Sequence, residues 1–291
     1  MRVAALVVLL LVVAGCAAPM PTWSDRAVAV LDGMADRAQN HTFDAFLVPY
    51  VVEAAARAGL DPGSWPPGHP VMRDWTFPRG NYLGMLRPLY ALALANPGIP
   101  EDQVQVQSAV LSGFDGKQFG DAALLNDDAF AILALAAAGS GSLWQVHDAA
   151  AYIADHANAT GGWSYAAKGK PDIDSTGIML AALRAAGRSV DATPVVAYLA
   201  SAQRPEGGYG AMPGEPANCD STVWAIRGLL AFGGEVPAAA WSYLASLRGP
   251  DGYAYVAGGA ANALCTVEVA TLFAVAGQMG TPEPAQISFE S

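Results

Sequence analysis

The sequence predicts an all-α fold in which about six helical hairpins close into a ring. Three observations predict it. A polar start, a twelve-residue apolar stretch and a glycine recur without gaps at Asp174-Ser175-Thr176 to Gly187, Asp220-Ser221-Thr222 to Gly233 and Leu264-Cys265-Thr266 to Gly277. Twelve residues before each start stands a second glycine (Gly162, Gly208, Gly252), followed at once by Trp163, Tyr209 or Tyr253. Alanine-rich apolar segments alternate with Gly/Pro loops, and nothing follows the two-residue period of a strand.

A further copy runs from Asn126-Asp127-Asp128 to Gly139, and two weaker ones end at Gly59 and Gly98. The closing glycines are thus 39, 41, 48, 46 and 44 residues apart, the length of one helical hairpin per repeat. Inner helices are expected at 46–58, 85–96, 127–138, 175–186, 221–232 and 265–276. Outer helices are expected at 23–38, 101–112, 143–156, 193–203 and 237–247. The second repeat is the weak one, because the stretch from Leu60 to Gly84 holds five prolines and shows no clear outer helix. Asp174, Asp220 and Leu264 are read as helix N-caps. The inner segments are apolar nearly all round, as helices buried on both faces are. The position eight after each start is Ala54, Ala93, Ala134, Ala182, Gly228 or Leu272, small in five of six, as close helix approach requires.

The N-terminus is a positive start, an apolar run from Val3 to Val13 and then Ala14-Gly15-Cys16. That is the pattern of a secretory signal, too short for a spanning helix of about 20 residues. It resembles a lipoprotein signal, which implies lipid on Cys16 and a membrane-anchored, extracytoplasmic protein. The organisation is then a signal at 1–15, a tether at 16–22, one ring domain at 23–280 and a tail at 281–291. Outside the cytoplasm the remaining pair, Cys219 and Cys265, suggests a disulfide, since neighbouring repeats bring their helix starts together. Two unpaired buried thiols are the alternative. The net charge of -11 argues against nucleic acid as a partner and against a polybasic membrane patch.

The residues Gly207-Gly208-Tyr209-Gly210 with Cys219-Asp220-Ser221-Thr222-Val223-Trp224, and Gly161-Gly162-Trp163 with Asp172-Ile173-Asp174-Ser175-Thr176, resemble the prenyltransferase/squalene-cyclase repeat. The resemblance implies an α/α toroid, a fold shared by terpene cyclases, protein prenyltransferases, cobalamin carriers and thioester domains. It fixes fold better than activity. Class II cyclases protonate substrate with an Asp-x-Asp-Asp motif. Asp172-x-Asp174 supplies two of the three acids, and Ser175 stands in place of the last. Asp174, then Asp220, is the best catalytic candidate, and such an acid needs a raised pKa. Prenyltransferases hold zinc with Asp, Cys and His. Cys219 matches the cysteine, but Ala217 and Cys265 replace the other two, so zinc at Cys219 and Cys265 is a minor alternative and no cofactor is predicted. A Cys-Gly-Glu-Gln thioester segment does not occur in this sequence, and the β-rich second domain against which cobalamin carriers close their ligand is not expected from the residues after Gly280, a partner chain being the alternative source.

The positions four and seven after each start form one helical stripe. They are Tyr50, Leu89, Phe130, Ile178, Trp224 and Glu268, then Glu53, Leu92, Leu133, Ala181, Arg227 and Thr271. If the stripe faces the lumen, it lines an apolar, aromatic cavity whose charges are Glu53, Arg227 and Glu268. Such a cavity suits a small, mostly apolar ligand with one polar group. Alternatively Arg227 pairs with a glutamate and fills the core. Trp163, Tyr165, Tyr209, Tyr253 and Tyr255 either rim the mouth or pack the loops. The expected function is binding of a small apolar ligand or a surface protein at the barrel mouth. A cyclase-, prenyltransferase- or lyase-type enzyme and a structural interaction module are the alternatives.

Overall fold

The computed structural model describes residues 22–37, 43, 45–61 and 81–282. The expected signal, lipidated Cys16 and nearly all of the tether and tail lie outside the described residues, as do the five prolines of the second repeat.

Among the described residues six inner helices and five outer ones form two layers. The inner helices are α2 (Val48–Arg57), α3 (Tyr82–Ala95), α5 (Leu125–Ala137), α7 (Ile173–Ala185), α9 (Cys219–Ala231) and α11 (Ala263–Gln278). Each packs on the next, and α11 returns to α2, so the ring closes. The outer helices are α1 (Trp23–Arg37), α4 (Pro100–Leu111), α6 (Trp144–Asp155), α8 (Ala192–Ala202) and α10 (Ala238–Ser246). Helix α1 packs on α11 and α2, α4 on α3 and α5, α6 on α5 and α7, and α10 on α9. The chain is therefore an α/α toroid. Two short strands, β1 (Arg248–Gly249) and β2 (Gly252–Tyr253), pair as a hairpin before α11.

Burial explains the two layers. Helix α9 buries every residue except Asp220, whereas α8 buries Val195, Tyr198, Leu199 and Ala202 on one face. Helices α7 and α9 cross closely at two glycines. A Cβ on Gly177 would stand 2.2 Å from the Trp224 carbonyl oxygen, and one on Gly228 would stand 3.0 Å from the Gly177 Cα.

The helix starts correct the sequence reading. The N-caps are Asp172, Asn218 and Asn262, two residues before Asp174, Asp220 and Leu264. Their side chains accept from the N–H groups of Ser175, Ser221 and Cys265 at 2.7, 2.9 and 3.0 Å. The recurring threonine has a separate task. Thr176, Thr222 and Thr266 each accept a hydrogen bond from the backbone N–H of Trp163, Tyr209 or Tyr253, at 3.0, 2.9 and 2.9 Å. Each hydroxyl also donates to the carbonyl of its own N-cap residue at 2.6 to 2.7 Å. The repeat signature is thus a clamp that fixes an aromatic loop residue to a helix start. In the fourth repeat Asp128 takes the threonine position and accepts from the Phe119 N–H at 2.7 Å.

Helix ends follow the expected glycines in three of four strong repeats. Gly187 and Gly233 adopt φ of 68° and 76°, the left-handed conformation that ends a helix. Helix α11 departs from this: it runs through Gly277 to Gln278, and the left-handed residue comes later, at Gly280 with φ of 64°.

Candidate functional site at the upper mouth and lumen

The lumen is lined by residues six, nine and thirteen after each N-cap. From Leu124 these are Phe130, Leu133 and Ala137; from Asp172, Ile178, Ala181 and Ala185. From Asn218 they are Trp224, Arg227 and Ala231; from Asn262, Glu268, Thr271 and Val275. Helix α2 contributes Tyr50, Glu53 and Arg57. Of the expected stripe, Tyr50 and Phe130 line the upper of two cavities, and Leu133, Ala181 and Arg227 line the lower.

The stripe fails on α3. Counting from its N-cap Asn81 gives Arg87, Tyr90 and Leu94, not Leu89 and Leu92, which are fully buried. The sequence reading took Gly98 as the closing residue. Asn96, fifteen residues after Asn81 as Gly187 is after Asp172, holds that place, and the register shifts by two.

Ion pairs bridge the middle of the lumen. Glu53, fully buried, lies 3.1 Å from Arg57 Nε, 3.0 Å from Arg87 Nη2 and 3.0 Å from Arg227 Nη2. Arg57 also donates to the Tyr90 hydroxyl. Burial alone would raise the Glu53 pKa, but Arg87, Arg227 and Arg57 outweigh it and hold the carboxyl at about 2. Aromatic faces take up the guanidinium planes: Arg87 stacks 3.7 Å over the Tyr50 ring and Arg227 4.1 Å over Trp224. Three cations around one carboxylate leave the cluster positive.

Above this layer, at the end where the inner helices begin, the mouth has two chemically different sides. On the side of α2, α3 and α5 a cavity of about 460 Å³ is walled by Phe46, Tyr50, Leu83, Pro88 and Phe130, with Arg87 as the charged group in its lining. On the side of α7, α9 and α11 stand acids. Glu268 is buried, and burial followed by the neighbouring Asp220 pushes its pKa well up. Asp174 is pushed up to about 7 by burial and then by Asp220, and its Oδ1 has no hydrogen-bond partner. Below the ion cluster a second cavity of about 220 Å³ opens between the ends of the inner helices.

The structure sorts the candidate residues. Tyr50 and Phe130 line the upper cavity, while Glu53, Trp224, Arg227 and Glu268 lie in the charged layer or beside it. Trp163, Tyr209 and Tyr253 are no more than 2% exposed, clamped beneath the loops and not set at the rim. Tyr165 and Tyr255, two residues further along, are exposed at 43% and 47%. Asp174 and Asp220 are not caps, as their neighbours two residues earlier do that work. Cys219 and Cys265 are buried free thiols whose side chains touch, and Cys219 Sγ lies 3.9 Å from the Cys265 carbonyl oxygen, so the expected bridge is not formed here. Among the described residues no three His, Cys, Asp or Glu side chains come together to hold a metal ion. Of the four histidines, His147 and His156 lie on and just after outer helix α6, and His41 and His69 lie outside the described residues.

Arg57, Arg87, Tyr90 and Phe46 were missed. Arg57 is visible as the partner four residues after Glu53 on one helix. Arg87 and Tyr90 become visible once Asn81 is recognised as a cap of the same kind as Asn218 and Asn262.

A solved structure of Candida albicans protein geranylgeranyltransferase-I, complexed with GGPP, is similar to this chain with a TM-score of 0.50 and 13% sequence identity. The match covers 68% of this chain and 66% of that one, a little under two thirds of its length, and the likeness is one of fold. Neither the family models nor the curated protein sequences give a match.

Proposed function

We propose that the protein is a ligand-binding α/α toroid of the cell envelope, anchored through lipid on Cys16. Its ligand is a small, mostly apolar molecule with one polar group, held in the cavity at the upper mouth. The observation that carries this reading is the cavity itself: about 460 Å³, apolar and aromatic walls, and one guanidinium in the lining. Its size and lining are those of a small-molecule site. The ion layer beneath closes the lumen, so the ligand enters and leaves at the mouth. The N-terminal pattern of charge, apolar run and cysteine supports the anchor.

The test is equilibrium binding of a fluorescent amphiphile, anilinonaphthalene sulfonate, to the wild type and two variants. Ala45→Trp fills the cavity from its exposed rim, and Arg87→Met keeps the stem but removes the charge. One saturable site, lost in the first variant and weakened about ten-fold in the second, is the expected result. Equal binding by all three proteins contradicts the reading.

A second reading, a cyclase- or lyase-type enzyme, is favoured by one observation. Asp174 carries a pKa of about 7 and an unpartnered Oδ1, the state of a neutral-pH proton donor. It does not line the upper cavity, which places it second. Asp174→Asn should leave amphiphile binding unchanged. Loss of turnover in that variant, with binding retained, would move the enzyme reading to first place.

A further inference from the structure

The lower cavity, at the end of the barrel opposite the proposed ligand site, presents unsatisfied positive charge. Arg227 is 5% exposed and lines this cavity, and its Nη1 atom has no hydrogen-bond partner. A buried guanidinium N–H left unpaired is costly unless something occupies the space before it. Arg57 and the exposed Arg184 of α7 line the same cavity, and no acidic side chain is in its lining. Glu53, the carboxylate that pairs with Arg57 and Arg227, is also shared with Arg87.

At the helix ends Gln278 of α11 accepts from Arg57 Nη1 at 3.1 Å, and among the described residues no such acceptor reaches Arg227 Nη1. Last-turn carbonyls of α5, α7 and α9 are taken by loop N–H groups: Ser140 to Leu135 at 2.8 Å, Arg188 to Leu183 at 2.9 Å and Gly234 to Leu229 at 2.8 Å. Apart from Tyr90, whose hydroxyl already accepts from Arg57, the remaining walls, among them Leu133 and Val275, are apolar. The space of about 220 Å³ equals roughly seven water volumes, enough for a tetrahedral or planar oxyanion.

We infer that the lower cavity is a second binding site, for a small oxyanion, either phosphate or carboxylate, gripped by Arg227, Arg57 and Arg184. Charge-assisted bonds from guanidinium groups to such an anion have the right geometry and strength. The site stands apart from the upper mouth, so it holds or fails independently of the proposed function.

The test is calorimetric titration of the full chain with inorganic phosphate, against chloride at matched ionic strength, followed by acetate. One saturable site is expected. Arg184→Gln should weaken it about two- to five-fold, as loss of an exposed charge does. Arg227→Gln should weaken it at least about ten-fold, and Arg248→Gln, an exposed control on β1, should not change it. If Arg227→Gln does not fold, Arg184→Gln still decides. Acetate that displaces phosphate identifies carboxylate as the shared ligand chemistry, and phosphate binding alone identifies the tetrahedral anion. Absence of saturable binding by either anion, or binding untouched by Arg184→Gln, overturns the site.

Discussion

Arg227 Nη2 on α9 lies 3.0 Å from Glu53 Oε1 on α2, although α11 stands between these helices in the ring. The pair therefore joins two inner helices that are not neighbours in the ring. Removing Glu53 leaves three guanidinium groups facing one another in a dry interior. Glu53→Gln should cost about 3–5 kcal/mol, or roughly 10 °C in melting temperature. Arg227→Met should cost less, because Glu53 keeps Arg57 and Arg87. Thermal melts of the three proteins check the order.

The same carboxylate sets an acid limit. Its folded pKa of about 2 lies below its ordinary value of 4.5. Its contribution is fully present above the ordinary value and is lost as pH falls through the folded one. Stability should fall between those two pH values in the wild type, and Glu53→Gln should lack that part of the decline. Melting temperature against pH measures both.

Asp128 works in the opposite sense. Burial lifts it from 3.8 to about 8, against the pull of the Phe119 N–H. The folded state holds the proton more tightly, so this contribution is present below the ordinary pKa and lost as pH rises through the folded one. Asp128→Asn keeps the acceptor for Phe119 and removes the ionisation. The variant should gain stability relative to wild type as pH rises from 5 to 9, on the order of a few kcal/mol. A constant difference across that range would show that Asp128 stays ionised throughout.

The threonine clamp predicts an isosteric effect. Thr222→Val preserves shape but leaves the buried Tyr209 N–H without its acceptor, at a cost of about 1–3 kcal/mol. Thr222→Ser keeps the hydroxyl and should recover most of it. Denaturant midpoints distinguish a clamp from simple packing, for which valine would be neutral.

The crossing of α7 and α9 tolerates no side chain at Gly177. Its Cβ would meet the Trp224 carbonyl, a backbone atom that cannot rotate away. Gly177→Ala should destabilise by about 1–3 kcal/mol, despite the better helix propensity of alanine. Gly228→Ala, whose nearest contacts lie at 3.0 Å, should cost less.

Much of this fold was legible because one structural unit is written several times. The glycine, aromatic and threonine spacing located the inner helices, and the alternation of fully and half-apolar segments separated inner from outer layers. The caps were misread by two residues because Asp, Ser and Thr are all favoured at helix starts. The true caps include asparagines, and the threonine hydroxyl serves a loop thirteen residues away. The site was half legible. Phe130, Trp224, Arg227 and Glu268 were singled out from strong repeats, and Tyr50 and Glu53 from the weaker copy that ends at Gly59. Arg87 and Tyr90 were hidden because the second repeat ends on Asn96 where the strong repeats carry glycine. That Glu53 gathers three arginines depends on which helices meet across a closed ring, which no local spacing encodes.

The most direct measurement is native mass spectrometry of the full protein purified from its own host, wild type beside Ala45→Trp. A protein mass lowered by two hydrogens would show that Cys219 and Cys265 bridge there. For the central claim, a small molecule retained by the wild type and missing from Ala45→Trp is the predicted result. A wild type that carries no ligand, or a ligand retained equally by Ala45→Trp, would contradict a binding site at the upper mouth.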